Sequence, residues 1–379
     1  MNAALLWALV FWLSIALIAY TYAGYALLVM LLVRIRGRTP EAGEALPALT
    51  VLIAAYNEAP RIAERVRNIL AQDYPPEKLS VLLVSDGSRD GTEHAAALAD
   101  PRVRVLALRD NQGKAAALNA AMVLVDSEIV VFSDARQRFA PDALRRLVAA
   151  FADPAVGAVT GELEIVDEYT GRAHPAGLYW RFERLLRSQE AQLGWLHGVS
   201  GAIYALRTRL FQPIPPGTLL DDMWVPLHVA FAGRRIWMAR DALAYDDASA
   251  SHAEEYRRKL RTLAGNWQLI TRLPRLFDPR HNRVFFAWFS HKFLRLIAPW
   301  ALIAAWILSA RLDGPVYRLA FYAQTLGYAV AALALLAPRL AARVPLMSAA
   351  GSFVMLNVAA LLSLPACMAL DARRLWKKH

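Results

Sequence analysis

VSDGSRDGT, residues 84–92, is the stretch on which the fold turns. It follows an apolar run, Leu79 to Val84, and sets Asp86 where that run ends. In an open α/β sheet, ligands bind in the crevice outside the carboxyl ends of the parallel strands, so an acid at such an end is a candidate nucleotide contact. Asp, Gly and Ser also serve as ordinary turn residues between a strand and a helix. The surrounding sequence has to separate these readings.

Short aliphatic or β-branched runs recur at Leu49–Ala55, Val103–Leu108, Ile129–Phe132 and Val156–Thr160. Between them lie segments with helical spacing: Arg61–Ala71, Gly91–Ala99, Gly113–Val125 and Pro141–Ala152, the last with proline in its first turn. Strand and helix alternating at this interval predict an α/β domain with a doubly wound, mostly parallel sheet.

The composition places that domain beside a membrane. The chain has 379 residues, of which 57% are hydrophobic, and a mean hydropathy of +0.29, too apolar for an ordinary soluble protein. Ala3 to Val33 carries no charge, and at about 1.5 Å per residue it more than spans a ~30 Å hydrocarbon core. A cleaved signal peptide would have a shorter apolar core behind a basic start, which Met1 to Leu6 lacks. Arg34, Arg36 and Arg38 follow directly, which predicts a cytoplasmic domain downstream and an outward N-terminus. A net charge of +11 raises nucleic acid as a partner. However, Arg34, Arg36, Arg38, Arg339, Arg343, Arg373, Arg374, Lys377 and Lys378 flank apolar segments, where membrane lipid headgroups account for them. The single cysteine, Cys367, excludes an intramolecular disulfide and any cysteine-based metal site.

Further motifs fall at strand ends or just beyond. AAYNE (54–58) offers main-chain groups, Tyr56 and Glu58 to a base or ribose, or uses Asn57 as a helix cap. NQGKAAALNAAM (111–122) puts Lys114 at a helix start behind a glycine, a place for an anion. FSDARQ (132–137) ends a strand with Asp134, a hard oxygen ligand suited to Mg²⁺ or Mn²⁺. LLDDMWVPLHVAFAGRRI (219–236) sets Asp221 and Asp222 ahead of a helix that Gly233 would end; the acids favour the helix dipole or supply a general base. In EEYRRKLRTLAGNWQ (254–268), Arg257, Arg258, Arg261, Gly265 and Gln268 share one helical stripe, suited to a leaving diphosphate or to lipid headgroups.

With these motifs in order, the chain from Pro47 to about Pro299 resembles the membrane-anchored members of glycosyltransferase family 2, relatives of cellulose, hyaluronan and chitin-oligosaccharide synthases. The resemblance rests on TVLIAAYNE, VSDGSRDGT, NQGKAAALNAA, VFSDA, GVSGAIYALR, LLDDMWVPL and RRKLRTLAGNWQ. It implies a nucleotide-diphosphate-sugar fold, a divalent metal, and inversion at the anomeric carbon in hexosyl or N-acetylhexosaminyl transfer. It also implies that Ala55, Tyr56, Glu58 and Asp86 hold the nucleoside with Lys114 nearby, that Asp134 takes the metal place and Asp222 that of the base. Arg261 would match the arginine of the family's QxxRW motif.

Two departures stand out. Where the family's DxD motif has a second ligand, this chain reads Asp134, Ala135, Arg136, so Arg136 is a candidate to replace part of the metal's charge. Around Arg261 both the glutamine and the tryptophan of QxxRW are missing, although Trp267 lies in reach to stack on a sugar. That loss weakens the case for a processive polysaccharide synthase with export, which would need a second copy or an export partner.

The expected organisation is an N-terminal anchor (1–38), a cytoplasmic transferase domain (39–283), an interfacial amphipathic helix (284–296) and C-terminal spans with a basic tail (297–379). His291, Lys292 and Arg295 share one face of the interfacial helix. Ile297–Ala310, Leu319–Ala337 and Met347–Leu370 read as spans, which leaves the tail from Arg373 to His379 outside, against the positive-inside expectation. The leading expectation is an inverting transferase at a bacterial-type inner membrane, acting on a lipid-linked or saccharide acceptor. A catalytically silent nucleotide-sugar-binding scaffold is the alternative from another class.

Overall fold

The computed structural model describes residues 3–96, 100–166, 178–247, 252–341 and 343–369. The strands β1 (Leu49–Ala55), β2 (Leu79–Asp86), β3 (Val103–Leu108) and β4 (Ile129–Ser133) stand in the order β3-β2-β1-β4, every neighbour parallel. They read as nearly unbroken apolar runs because helices cover both faces. Leu52, Leu82, Val84, Val130 and Phe132 pack on one face with Leu118, while Val51, Ile53, Val81, Leu83 and Val131 pack on the other with Ile62, Val66 and Ile69. Burying each such side chain contributes about 1.5–3 kcal/mol before the entropy cost.

The sheet continues through β5 (Arg138–Phe139), β6 (Val156–Val166), β7 (Tyr204–Arg207) and β8 (Arg235–Asp247), giving β3-β2-β1-β4-β7-β6-β8-β5. β7 runs antiparallel between β4 and β6, β6 and β8 are parallel, and β5 is antiparallel to β8. The expected doubly wound sheet thus holds for the first four strands, and the second half is mixed. The helix expected from Pro141 begins at Ala143 with Asp142 as its cap, and of the helix expected over 91–99 the described part is Thr92–Ala96.

Among the described residues, four helices are long and apolar enough to cross a membrane: Ala3–Arg36, Phe285–Ser309, Pro315–Leu336 and Pro345–Ala369. The stretch expected to split into an interfacial helix and a first span is one continuous helix, Phe285–Ser309, with a π turn at Phe289–Phe293. His291 and Arg295 do not face headgroups. His291 is 1% exposed and Arg295 pairs with Glu183, because the helix Leu178–Leu193, which the sequence reading did not mark, presents carboxylates to them. The basic tail from Arg373 to His379 lies outside the described residues.

Candidate functional site

The carboxyl ends of β1, β2 and β4 open on one side of the sheet, as parallel pairing requires. Their loops are tied together. Asn57, in the left-handed region at φ +53°, does not cap the helix Ala59–Leu70. Its N–H donates to Ser88 Oγ (3.1 Å) and its side chain accepts from the N–H of Arg89 (3.0 Å). Glu58 is buried, donates its N–H to Thr92 Oγ1 (2.9 Å) and lies 3.4 Å from Arg61. Ala55 is buried at the strand end and Tyr56 is 47% exposed beside it.

Asp86 is buried, and its two oxygens accept the N–H groups of Gln112 and Gly113 at 2.8 Å each. The next residue makes that approach possible. A Cβ on Gly87 (φ +67°) would lie 2.5 Å from the backbone of Asp110 and Asn111. Asp86 therefore builds the loop that leads into the helix Lys114–Met122.

Lys114 is the first residue of that helix, a poor place for a cation near the helix dipole's positive end. Two acids hold it there: Lys114 Nζ lies 3.0 Å from Asp134 Oδ1 and 3.0 Å from Asp221 Oδ2. Asp134 comes from the end of β4, and Asp221 with Asp222 opens the helix Asp221–Phe231, so acids 87 positions apart in the chain meet at one ammonium. Among the described residues no hydrogen bond reaches Asp134 Oδ2 or the Asp222 carboxylate. Burial, with repulsion from Asp221 and Asp134, pushes the Asp222 carboxyl up to about 6, while Lys114 and Arg261 pull the other way.

Two residues that the sequence reading passed over complete this wall. Arg65, buried, donates to Ser133 Oγ (2.7 Å) directly before Asp134; burial lowers its pKa to about 9 against the pull of Asp134. Its position on the apolar stripe of Ile62, Val66 and Ile69 was the available signal. Tyr204 stacks on Phe132 at 4.6 Å, and its buried hydroxyl has no hydrogen-bond partner among the described residues. Burial, then the charges of Asp221, Asp222 and Asp134, raise its pKa well above the phenol range.

The helix His252–Arg272 packs against the loop that precedes Asp221. Gly265 lets it come close, since a Cβ there would lie 2.5 Å from Leu220 Cγ. Gln268 accepts from the N–H of Leu219 (2.9 Å) and donates to the carbonyl of Gly217 (2.8 Å), so its amide holds the loop before Asp221. Arg261 acts on Asp222, Asp134 and Asp221, its pKa lowered by burial. Arg258 is half-buried one turn before it, and Arg257 is exposed. Two side chains singled out in the sequence have partners. Trp267 donates its indole N–H to Ser363 Oγ (3.0 Å) on the last membrane helix. Arg136 pairs with buried Asp246 at 3.2 Å, so its charge is already matched.

The cluster therefore offers a carboxylate that accepts no hydrogen bond from the described residues, its pKa pushed up to about 6, beside fixed cations and Asp134. A base works as the carboxylate, so kcat/KM should hold above about pH 6 and fall close to tenfold per unit below it. A pH–rate profile checks this; a flat profile down to pH 4.5 would contradict it.

Residues 50–214 match glycosyl transferase family 2. Over 128 residues, 32% of this chain and 70% of its relative, the sequence is 37% identical to an N-acetylglucosaminyltransferase of Bradyrhizobium elkanii. The chain belongs to glycosyltransferase family 2. Among other relatives of this family 2 member is an N-acetylglucosaminyltransferase of Mesorhizobium japonicum, 40% identical over 129 residues, 33% of this chain and 30% of that protein. Another is a beta-monoglucosyldiacylglycerol synthase of Trichormus variabilis, 34% identical over 157 residues, 40% of this chain and 34% of that protein. The match thus spans about a third of the length of these two relatives. The mannosyltransferase PcManGT from Pyrobaculum calidifontis, solved in complex with GDP-Man and Mn²⁺, shares the fold with a TM-score of 0.71 at 24% identity, covering 95% of this chain and 99% of that one.

Proposed function

We propose that this family 2 enzyme is an inverting transferase that moves a sugar from a nucleotide-diphosphate-sugar to a lipid-linked or saccharide acceptor. We place the transfer at the cytoplasmic face of a bacterial-type inner membrane. The observation that carries the reading is Asp222: a carboxylate without a hydrogen bond among the described residues, raised to about 6, beside the Lys114, Asp134 and Asp221 cluster. The acceptor hydroxyl gives its proton to Asp222 as its oxygen attacks the anomeric carbon. The bond to the diphosphate breaks on the opposite face, and its electron pair leaves with the nucleoside diphosphate. Arg261 and Lys114 stand where that negative charge grows. Ala55, Tyr56, Glu58 and the Asp86-built loop would frame the nucleoside.

The donor set also fits a divalent cation. Asp134 keeps Oδ2 open, and the oxygens of Asp134 and Asp221 already converge on one positive charge, the hard-ligand chemistry that suits Mg²⁺ or Mn²⁺. When bound, the ion would neutralise charge on the diphosphate. The missing tryptophan beside Arg261 favours single transfer over processive synthesis, and the glycolipid synthase relative supports a lipid acceptor.

Thermal unfolding of the full chain with a panel of nucleotide-sugars, with and without Mn²⁺, tests the reading. A donor at a hundred times its Kd adds about 2.7 kcal/mol, which should raise Tm by roughly 5 °C or more. Asp134→Asn should lose the Mn²⁺-dependent part of that rise. If no uridine or guanosine diphosphate sugar moves Tm, the reading fails.

A further inference from the structure

Outside the reaction centre, among the described residues, a buried charge cluster has Glu190 at its middle. The carboxylate is 0% exposed. It accepts the Tyr25 hydroxyl at 2.7 Å from the helix Ala3–Arg36 and His291 Nδ1 at 2.7 Å from the helix Phe285–Ser309. His291 Nε2 faces Glu183 at 3.1 Å, and Glu183 in turn pairs with Arg295. Burial opposes ionisation of Glu190, yet His291 and His197 hold its carboxyl down at about 2, so it is an acceptor only.

Glu190, His197 and His291 bring ligand atoms within 4.8 Å of one another, the spacing of a metal site. Both nitrogens of His291, however, face carboxylates, 2.7 Å from Glu190 and 3.1 Å from Glu183, so neither is turned to an ion shared with His197. The cluster is better read as a clasp that draws two membrane helices onto one point of the helix Leu178–Leu193.

That point leads directly to the base. The carbonyl of Glu190 accepts the N–H of Trp195 at 2.7 Å, closing a turn through Gly194 at φ +69°. His197 then sets its ring edge-on to His291 at 5.6 Å. Arg187, one turn before Glu190, donates to the carbonyl of Gly198 at 3.2 Å, and the next amide, Val199 N–H, donates to the carbonyl of Asp222 at 3.0 Å. A short chain of contacts therefore runs from both membrane segments to the backbone that carries Asp222.

We propose that Glu190 is a positioning residue: its carboxylate fixes the two membrane helices to the end of the helix Leu178–Leu193, whose backbone carries the segment 194–199 onto Asp222, so that the base is aligned only when those helices are seated. The proposal rests on Asp222 being the base. Buried ion clusters are weak stabilisers and are often retained for register, and a displacement of about 1 Å at a reacting group costs on the order of a hundredfold in rate.

The test compares Glu190→Gln, Tyr25→Phe and Asp222→Asn in the full chain, reconstituted in lipid nanodiscs, with turnover normalised to donor-binding molecules. Glu190→Gln should lower kcat about 10- to 100-fold with donor KM within about twofold of wild type. Tyr25→Phe removes one hydrogen bond and keeps the ring; it should lower kcat about fivefold at unchanged donor KM. A merely structural role would reduce the number of binding-competent molecules and leave kcat per molecule unchanged in both variants, which overturns the proposal. If Glu190→Gln does not fold, Tyr25→Phe decides alone. Should Asp222→Asn keep wild-type turnover, the base assignment falls and this proposal with it; an inactive Asp222→Asn beside normal Glu190 and Tyr25 variants overturns the positioning role only.

Discussion

Asp222→Asn should lower kcat by about 10²- to 10⁴-fold, the range that a positioned base contributes, while leaving the donor-induced rise in Tm intact. The two effects separate because the Asp222 carboxylate makes no hydrogen bond among the described residues and so its side chain holds neither the loop nor the helix that carries it. Asparagine keeps the size and removes the proton acceptor. It also removes a charge that Asp221 and Asp134 repel, so the variant should fold at least as well as wild type. Release of nucleoside diphosphate, measured with and without acceptor, reads the outcome. Equal release by variant and wild type in the presence of acceptor would remove Asp222 from the mechanism.

The second large effect is expected at Lys114. Replacing it by methionine leaves Asp134 and Asp221, which now converge on its ammonium at 3.0 Å, facing each other without a counter-charge. Removing one partner from a buried pair costs about 3–5 kcal/mol; with Asp134 partly exposed, the lower end applies, a fall in Tm of roughly 6–12 °C. Activity should drop more than a hundredfold where a cation that meets the leaving charge is lost. The sign of the pH effect follows too. Lys114 favours the ionised form of Asp222, so in its absence that carboxyl titrates higher and the acid limb of any residual activity moves to higher pH. An unchanged Tm and an unmoved limb would show that Lys114 is incidental. Mn²⁺ should restore part of the lost stability, since a divalent ion answers the same two carboxylates.

The parallel half of the sheet was legible because its strands are covered on both faces. Leu49–Ala55 and Val103–Leu108 occupy the residues their apolar runs marked, and Asp86 and Asp134 fall at or just past strand ends. β7 and β8 were not legible. Four residues, Tyr204–Arg207, are too few to show a period, and Arg235–Asp247 carries charges at Arg235, Arg240, Asp241, Asp246 and Asp247 that mask its inward positions. The helix Leu178–Leu193 was missed for a related reason. Its buried carboxylates, Glu183 and Glu190, look like surface residues until His291 and Arg295 arrive from more than a hundred positions away.

Local chemistry along the chain specified the apolar anchors, the first four strands and the acids and lysine at their ends, since hydrophobic period and turn residues act over a few neighbours. Side-chain partnerships were a different matter. That Asp86 shapes a loop, that Lys114 bridges Asp134 and Asp221, that Trp267 turns toward Ser363 and that Glu190 joins two membrane helices all depend on residues brought together by folding. Burial and charge belong to the assembled environment, so a lone residue type cannot reveal whether an acid is a base, a ligand or a brace.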